Sequence, residues 1–115
     1  MENPIAFAAD WIAAWNTHDM DRILSHYAQD AVLYSPRVKA YMAQSNGMVR
    51  GKAVLRDYFA RGLSRTPDLR FELEDVYAGI GSVVVRYRAQ NGRRTAELMV
   101  FDADGLVREV RAHDA

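Results

Sequence analysis

Thr95-Ala-Glu-Leu-Met-Val-Phe101 is the stretch that most restricts how this chain can fold. Six of its seven residues are apolar or nearly so, and Glu97 stands among them. In a strand, successive side chains point to opposite faces. Thr95, Glu97, Met99 and Phe101 then share one face, and Ala96, Leu98 and Val100 share the other. A strand with one wet face alternates apolar with polar. This one is apolar on both, so each face needs a cover. A carboxylate on a covered face is either paired or lines a cavity, because an unpaired buried charge costs too much.

The rest of the chain can supply those covers. A length of 115 residues suits one domain spanning 1–115. Such a chain buries roughly two-thirds of its unfolded surface without help from disulfides. There is no cysteine, which removes thiol chemistry and cysteine-based zinc sites. Fifteen basic and fifteen acidic residues are interspersed, so a phosphate-tracking surface for nucleic acid is not expected. Met-Glu-Asn-Pro lacks the basic start and apolar run of a secretory signal, and no stretch is long enough to span a membrane. A cytoplasmic protein is expected.

Ile5, Ala8, Trp11, Ile12 and Trp15 recur at helical spacing, with Pro4 in the first turn. Asp19 suits the N-cap of a second helix burying Met20, Ile23, Leu24 and Tyr27. Ala31 to Ser35 reads as a short strand stopped by Pro36. Arg37 to Arg50 has no period and reads as a loop, long enough to be a functional cover. Gly51 to Ser64 is a third helix, burying Leu55, Tyr58, Phe59 and Leu63. Four meandering strands follow: Leu69–Tyr77, Ser82–Gln90, Thr95–Phe101 and Leu106–His113. The order is ααβαββββ, an α+β fold.

Asn91-Gly92 is a strong hairpin signal for a two-residue type I′ loop. That loop puts Arg86 opposite Glu97, Val84 opposite Met99, and Tyr87 on the other face. Val110 and Ala112 of the last strand join the Glu97 face, and Arg111 and His113 leave it. The Glu97 face then offers Val84, Met99, Phe101, Val110 and Ala112 around a Glu–Arg pair. Three amphipathic helices cover it. No helix is left for the reverse face, centred on Val83, Val85, Leu98 and Val100. An apolar patch of that size marks an association surface, so a homodimer through it is expected.

Two segments carry a resemblance. Trp11-Ile-Ala-Ala-Trp-Asn-Thr-His-Asp-Met-Asp21, running on to Tyr27-Ala-Gln-Asp-Ala-Val-Leu-Tyr-Ser-Pro36, and Gly51-Lys-Ala-Val-Leu-Arg-Asp-Tyr-Phe59 resemble the nuclear transport factor 2-like superfamily. The likeness is strongest to its small bacterial SnoaL-like and ketosteroid isomerase-like members. It implies a cone-shaped curved antiparallel sheet wrapped around N-terminal helices (a cystatin-like α+β roll), with an apolar pocket inside and a dimer on the convex face. The isomerases' general-base aspartate falls on Ser35, their hydroxyl-donating tyrosine on Trp11, and their second carboxyl donor on Glu97. Serine has no usable basicity near neutral pH, so isomerisation by that mechanism is not expected. The superfamily's epoxide hydrolases use an Asp-Arg-Asp relay, of which Arg86, Glu97 and Asp75 could supply parts. In its polyketide cyclases only the acidic residue has a counterpart, again Glu97.

The resulting expectation is a pocket for a small, mostly apolar molecule. Glu97, aided by Arg86, would transfer a proton or add water. Trp11, Trp15, Tyr34, Ser35, Tyr58, Val84, Met99 and Val110 would contact the ligand. A non-catalytic ligand carrier or an association module is the alternative. No organic cofactor is implied. No metal is expected either: Asp19 and Asp21 near His18 suit a helix cap and first turn, and Asp102-Ala-Asp-Gly105 suits a hairpin turn. His26 and His113 are expected to be structural. Gly47-Met-Val-Arg-Gly-Lys-Ala53 is one residue short of a phosphate loop.

Overall fold

A computed structural model describes residues 3–42 and 45–115. Helix α1 (Pro4–Thr17) starts where Asn3 accepts hydrogen bonds from the backbone N–H groups of Ile5 and Ala6. It ends at His18, which takes the left-handed conformation, φ 60°. Its apolar stripe buries Ala8, Trp11, Ile12 and Trp15, as the spacing predicts, but Ile5, expected on the same stripe, is exposed in the first turn. Helix α2 (Met20–Leu24) is a short turn capped by Asp19. Tyr27 does not extend it. That residue opens strand β1 (Tyr27–Tyr34), which begins four residues before the expected Ala31.

The expected Arg37–Arg50 loop holds helix α3 (Val38–Tyr41) and strand β2 (Met48–Arg50). Residues 43 and 44 of that stretch, like Met1 and Glu2 of the N-terminal segment, lie outside the described residues. Helix α4 (Lys52–Arg65) buries Leu55, Tyr58 and Phe59. The meander follows as β3 (Phe71–Gly79), β4 (Ser82–Ala89), β5 (Arg94–Phe101) and β6 (Val107–Asp114). The sheet is curved and unclosed, in the order β2-β1-β6-β5-β4-β3. It is antiparallel except where β1 runs parallel to β6. Helix α1 packs on β3 and α4 on β1 and β2, so the concave face holds the core.

The β4–β5 hairpin departs from the two-residue loop by one residue. Ala89 N donates to Arg93 O at 2.8 Å, and Gly92 N donates to Ala89 O at 2.9 Å. Gln90, Asn91 and Gly92 form a three-residue loop, closed by Gly92 at φ 87°. A turn followed by a left-handed glycine is the standard three-residue solution. Side chains alternate with period two, so this single extra residue moves all of β4 to the opposite face relative to β5. Val85, not Arg86, sits opposite Glu97, and Val83 rather than Val84 sits opposite Met99.

The expected faces are corrected accordingly. Val83 and Val85 belong to the buried core, not to the outer patch. Val84 points outward with Leu98, Val100 and Arg86. On the far side of β5 the expectation holds: Glu97 pairs with Ala112 and Met99 with Val110, while Arg111 and His113 align with Leu98 and Ala96.

Candidate active site

A cavity of about 200 Å³ lies between the helices and the concave face. Aromatic side chains from every layer build its walls: Trp15 from α1, Tyr27 from β1, Tyr58 and Phe59 from α4, Phe71 from β3 and Tyr87 from β4. Glu97 of β5 lines it, and among the described residues no other carboxyl group does. The side chain of Glu97 is buried, with 7% of the residue exposed.

Tyr87 and Glu97 sit two positions apart across the β4–β5 ladder, diagonal neighbours on one face. That offset is within reach of an aromatic side chain, and the Tyr87 hydroxyl donates a hydrogen bond to Glu97 Oε2. Arg37, just before α3, brings a cation to the same cavity. Its Nη2 donates to Asp114 Oδ1 at 3.2 Å, and Asp114 also accepts from Thr95 Oγ1 at 2.9 Å. Two nitrogens of lining residues, Arg37 Nε and Trp15 Nε1, are buried with no acceptor at hydrogen-bond distance among the described residues. A buried donor without a partner is costly.

Burial pushes the Glu97 carboxyl above its ordinary range; the hydrogen bond from Tyr87 and the charge of Arg37 pull the other way without cancelling it. Burial also raises Tyr87 well above the usual phenol value, with the Glu97 charge adding to the effect. Tyr27 and Tyr58 are raised for the same first reason. Burial works against the charge of Arg37. Tyr87, Asp114, Glu97 and Tyr58 outweigh it and keep the guanidinium firmly protonated. The arrangement can exchange a proton at Glu97 while the tyrosines stay neutral donors.

The structure brings together part of the predicted site. Glu97, Trp15, Ser35 and Tyr58 line the cavity. Trp11 lies behind it, its indole N–H donating to the Tyr27 hydroxyl at 3.0 Å. Met99 and Val110 are buried core residues beyond the cavity wall. Tyr34 turns to the outer face, where the Arg111 guanidinium stacks 4.1 Å from its ring centre. Val84 is outside with it.

Arg86 is no partner of Glu97. It reaches Asp75 at 3.6 Å and Glu74 at 4.0 Å on the convex side. Two parts of the suspected relay, Arg86 and Asp75, therefore meet, but the sheet separates them from Glu97. Asp19 caps α2, Asp21 pairs with Arg56, and Asp102 accepts from two backbone N–H groups of its own turn. Among the described residues no three histidine, aspartate or glutamate side chains gather as metal ligands.

Sequence reasoning missed Arg37 and Tyr87. Arg37 sits in a stretch without periodicity, so no pattern could place it. Tyr87 had a signal: in Arg86-Tyr87-Arg88 the aromatic alternates with two cations, which places it inward with Val83 and Val85.

The comparisons with known proteins agree with this architecture. Comparison with curated proteins returns no match. Among solved structures, a SnoaL-like protein of unknown function from Burkholderia thailandensis is 38% identical, with a TM-score of 0.93, covering 97% of this chain and 93% of its own. A protein with a cystatin-like fold from Methylobium petroleophilum is 22% identical (TM-score 0.73), covering 93% of this chain and 72% of its own. The epoxide hydrolase/cyclase-like enzyme SalBIII, of pyran ring formation in the polyether salinomycin, is 18% identical (TM-score 0.74), covering 97% of this chain and 90% of its own. The last two likenesses concern the fold. The family model described as the SnoaL-like domain matches residues 8–110, nearly the whole length. With that match and this arrangement of helices over a curved sheet, the chain belongs to the SnoaL-like family.

Proposed function

We propose that the cavity binds a small, mostly apolar molecule and that Glu97 transfers a proton to or from it, or takes one from a water that adds to it. The observation that carries this is the position of Glu97, one carboxyl group in the wall of a largely aromatic cavity with one oxygen held by Tyr87. Burial raises its proton affinity, the direction that favours a general acid or base. Tyr87 orients the carboxyl, and Arg37 balances its charge. Ser35 lines the cavity without offering a base. SalBIII, an epoxide hydrolase/cyclase-like enzyme, shares the fold and is in keeping with such chemistry.

The test is turnover across a panel of small ring ketones, lactones and epoxides. Wild type and Arg86→Gln should act alike, and Glu97→Gln should lose at least a hundredfold in kcat/KM, the usual weight of a positioned acid or base. Binding without turnover anywhere on the panel would make the protein a carrier instead.

The outer face supports a second part of this reading, a homodimer. Val84, Leu98 and Val100 form an apolar strip there, half-exposed in the single chain, and no helix crosses it among the described residues. A second copy of the chain covers it.

A further inference from the structure

The cavity changes character from one end to the other. Its inner part is aromatic around Glu97, and its outer part is framed by the β4–β5 loop, where Gln90, Asn91 and Arg93 line it and are exposed. We infer that the ligand is an amphipathic acid, with a small apolar body among the aromatic rings and a carboxylate held at the open side by the Arg93 guanidinium. The inference rests on the reading of this cavity as a ligand site and narrows the class of molecule it takes; it concerns binding and not turnover.

The hairpin places the cation. Side chains on one face of a strand recur every second residue, so Arg93 shares the inward side of Thr95 and Glu97. Those two are buried. Arg93, beside the loop, is where this face reaches water. At a rise of about 3.3 Å per residue, its Cα lies about 13 Å from that of Glu97. The carboxyl that could repel a bound anion is thus held at the far end, with one oxygen bonded by Tyr87. Among the described residues no other carboxyl group lines the cavity.

The cation is also underpaired. Among the described residues Asp114 is the one carboxylate within 4.0 Å of it, and Asp114 is already engaged, by Thr95 Oγ1 at 2.9 Å and Arg37 Nη2 at 3.2 Å. Arg93 Nη1 stands 3.9 Å from Asp114 Oδ2, too far for a hydrogen bond. Two guanidiniums therefore share one carboxylate at the open side, and the nearer one holds it. A guanidinium offers five N–H donors in a plane that fits both oxygens of a carboxylate. With 45% of its side chain exposed, Arg93 is open to an incoming group. A neutral amide brings no charge to it, and an ammonium is repelled. The volume of about 200 Å³, against about 150 Å³ for a cavity that holds benzene, leaves room for one ring with a short chain.

The test is calorimetric binding to the full chain at pH 8 of three probes with nearly the same shape: hydrocinnamate, its neutral amide hydrocinnamide, and the cation phenylpropylammonium. Hydrocinnamate should bind about tenfold tighter than the amide, the return on a charge-assisted pair at a half-exposed site. The ammonium should bind most weakly. Raising salt from about 0.01 M to about 1 M shortens the screening length from about 30 Å to about 3 Å, and should narrow the acid's lead while leaving the amide in place. Arg93→Gln should bring the acid to the level of the amide. Arg93→Lys should keep part of the lead, because it retains the charge and loses the planar fork. Arg86→Gln removes an arginine from the convex face and should change none of the three affinities.

Equal affinity for acid and amide in wild type would overturn the inference without recourse to a variant, as would binding by none of the three or tightest binding by the ammonium. An acid preference that survives Arg93→Gln intact would overturn it too, by placing the anion elsewhere. Acid preferred through Arg93, with no turnover on the panel of ketones, lactones and epoxides, sinks the acid–base reading alone. Turnover of that panel through Glu97, with no preference for the acid, sinks this inference alone.

Discussion

The Tyr87 hydroxyl donates a hydrogen bond to Glu97 Oε2 across the β4–β5 hairpin, and both side chains face the aromatic cavity. The carboxyl owes its position to this contact as much as to its own strand. Tyr87→Phe keeps the ring and removes the donor. The variant should lose about 1–3 kcal/mol at pH 8, the range for a hydrogen bond to a buried charged group. At pH 4 the loss should shrink, because a protonated Glu97 needs the donor less. Urea unfolding at the two pH values measures both, and an equal loss would show that Glu97 is not the acceptor that matters.

Glu97 also sets a pH dependence whose sign differs from that of an ordinary paired carboxylate. Its proton affinity is raised in the folded protein, chiefly by burial. Between the ordinary glutamate value of 4.5 and the raised one, the folded state keeps a proton that the unfolded chain has lost. Stability is therefore fully present below the ordinary value and falls as pH rises through the raised one. Glu97→Gln should flatten this slope and be the more stable protein at pH 8. A stability curve that climbs more steeply with pH in wild type than in Glu97→Gln would reverse the assignment.

Gly92 carries the register of the hairpin. Its φ of 87° is left-handed, and a Cβ there would meet nothing within 4 Å. Any cost of Gly92→Ala is thus conformational and should be about 1 kcal/mol. Gly92→Asn should cost less, since asparagine tolerates that region. Chemical unfolding of the two variants separates them, and an alanine variant as stable as wild type would contradict the geometry.

Leu98 and Val85 point to opposite sides of the sheet, and arginine at each should behave differently. Leu98→Arg lies on the half-exposed outer strip and should yield a folded protein that sediments as a monomer. Val85→Arg buries a cation among the core residues opposite Glu97 and should cost about 4 kcal/mol or more, enough to prevent folding. Sedimentation and circular dichroism read the two outcomes. A Leu98→Arg protein that remains dimeric would place the association surface elsewhere.

Much of the architecture was legible in the amino-acid order. The helical spacing of Trp11 and Trp15, and of Leu55, Tyr58 and Phe59, marked the faces that α1 and α4 bury. A lone carboxylate in an apolar strand had to be paired or to line a cavity, and Glu97 lines one. The faces of Val110 and Ala112 followed from alternation along β6. Local periodicity determines these things because each depends on one element and the side it hides from water.

Tertiary structure decided how the elements meet. Whether Arg86 or Val85 lies opposite Glu97 depends on one loop residue, and Asn91-Gly92 is compatible with a loop of two or three. The choice falls to the core, which accepts Val83, Val85 and Tyr87 on its side and leaves Arg86 and Arg88 in water. Arg37 became part of the site by the same kind of decision, through Asp114, 77 positions further along the chain. A period of two fixes which neighbours along a strand share a face, but not which face the next strand presents to them; only the burial of both at once settles that.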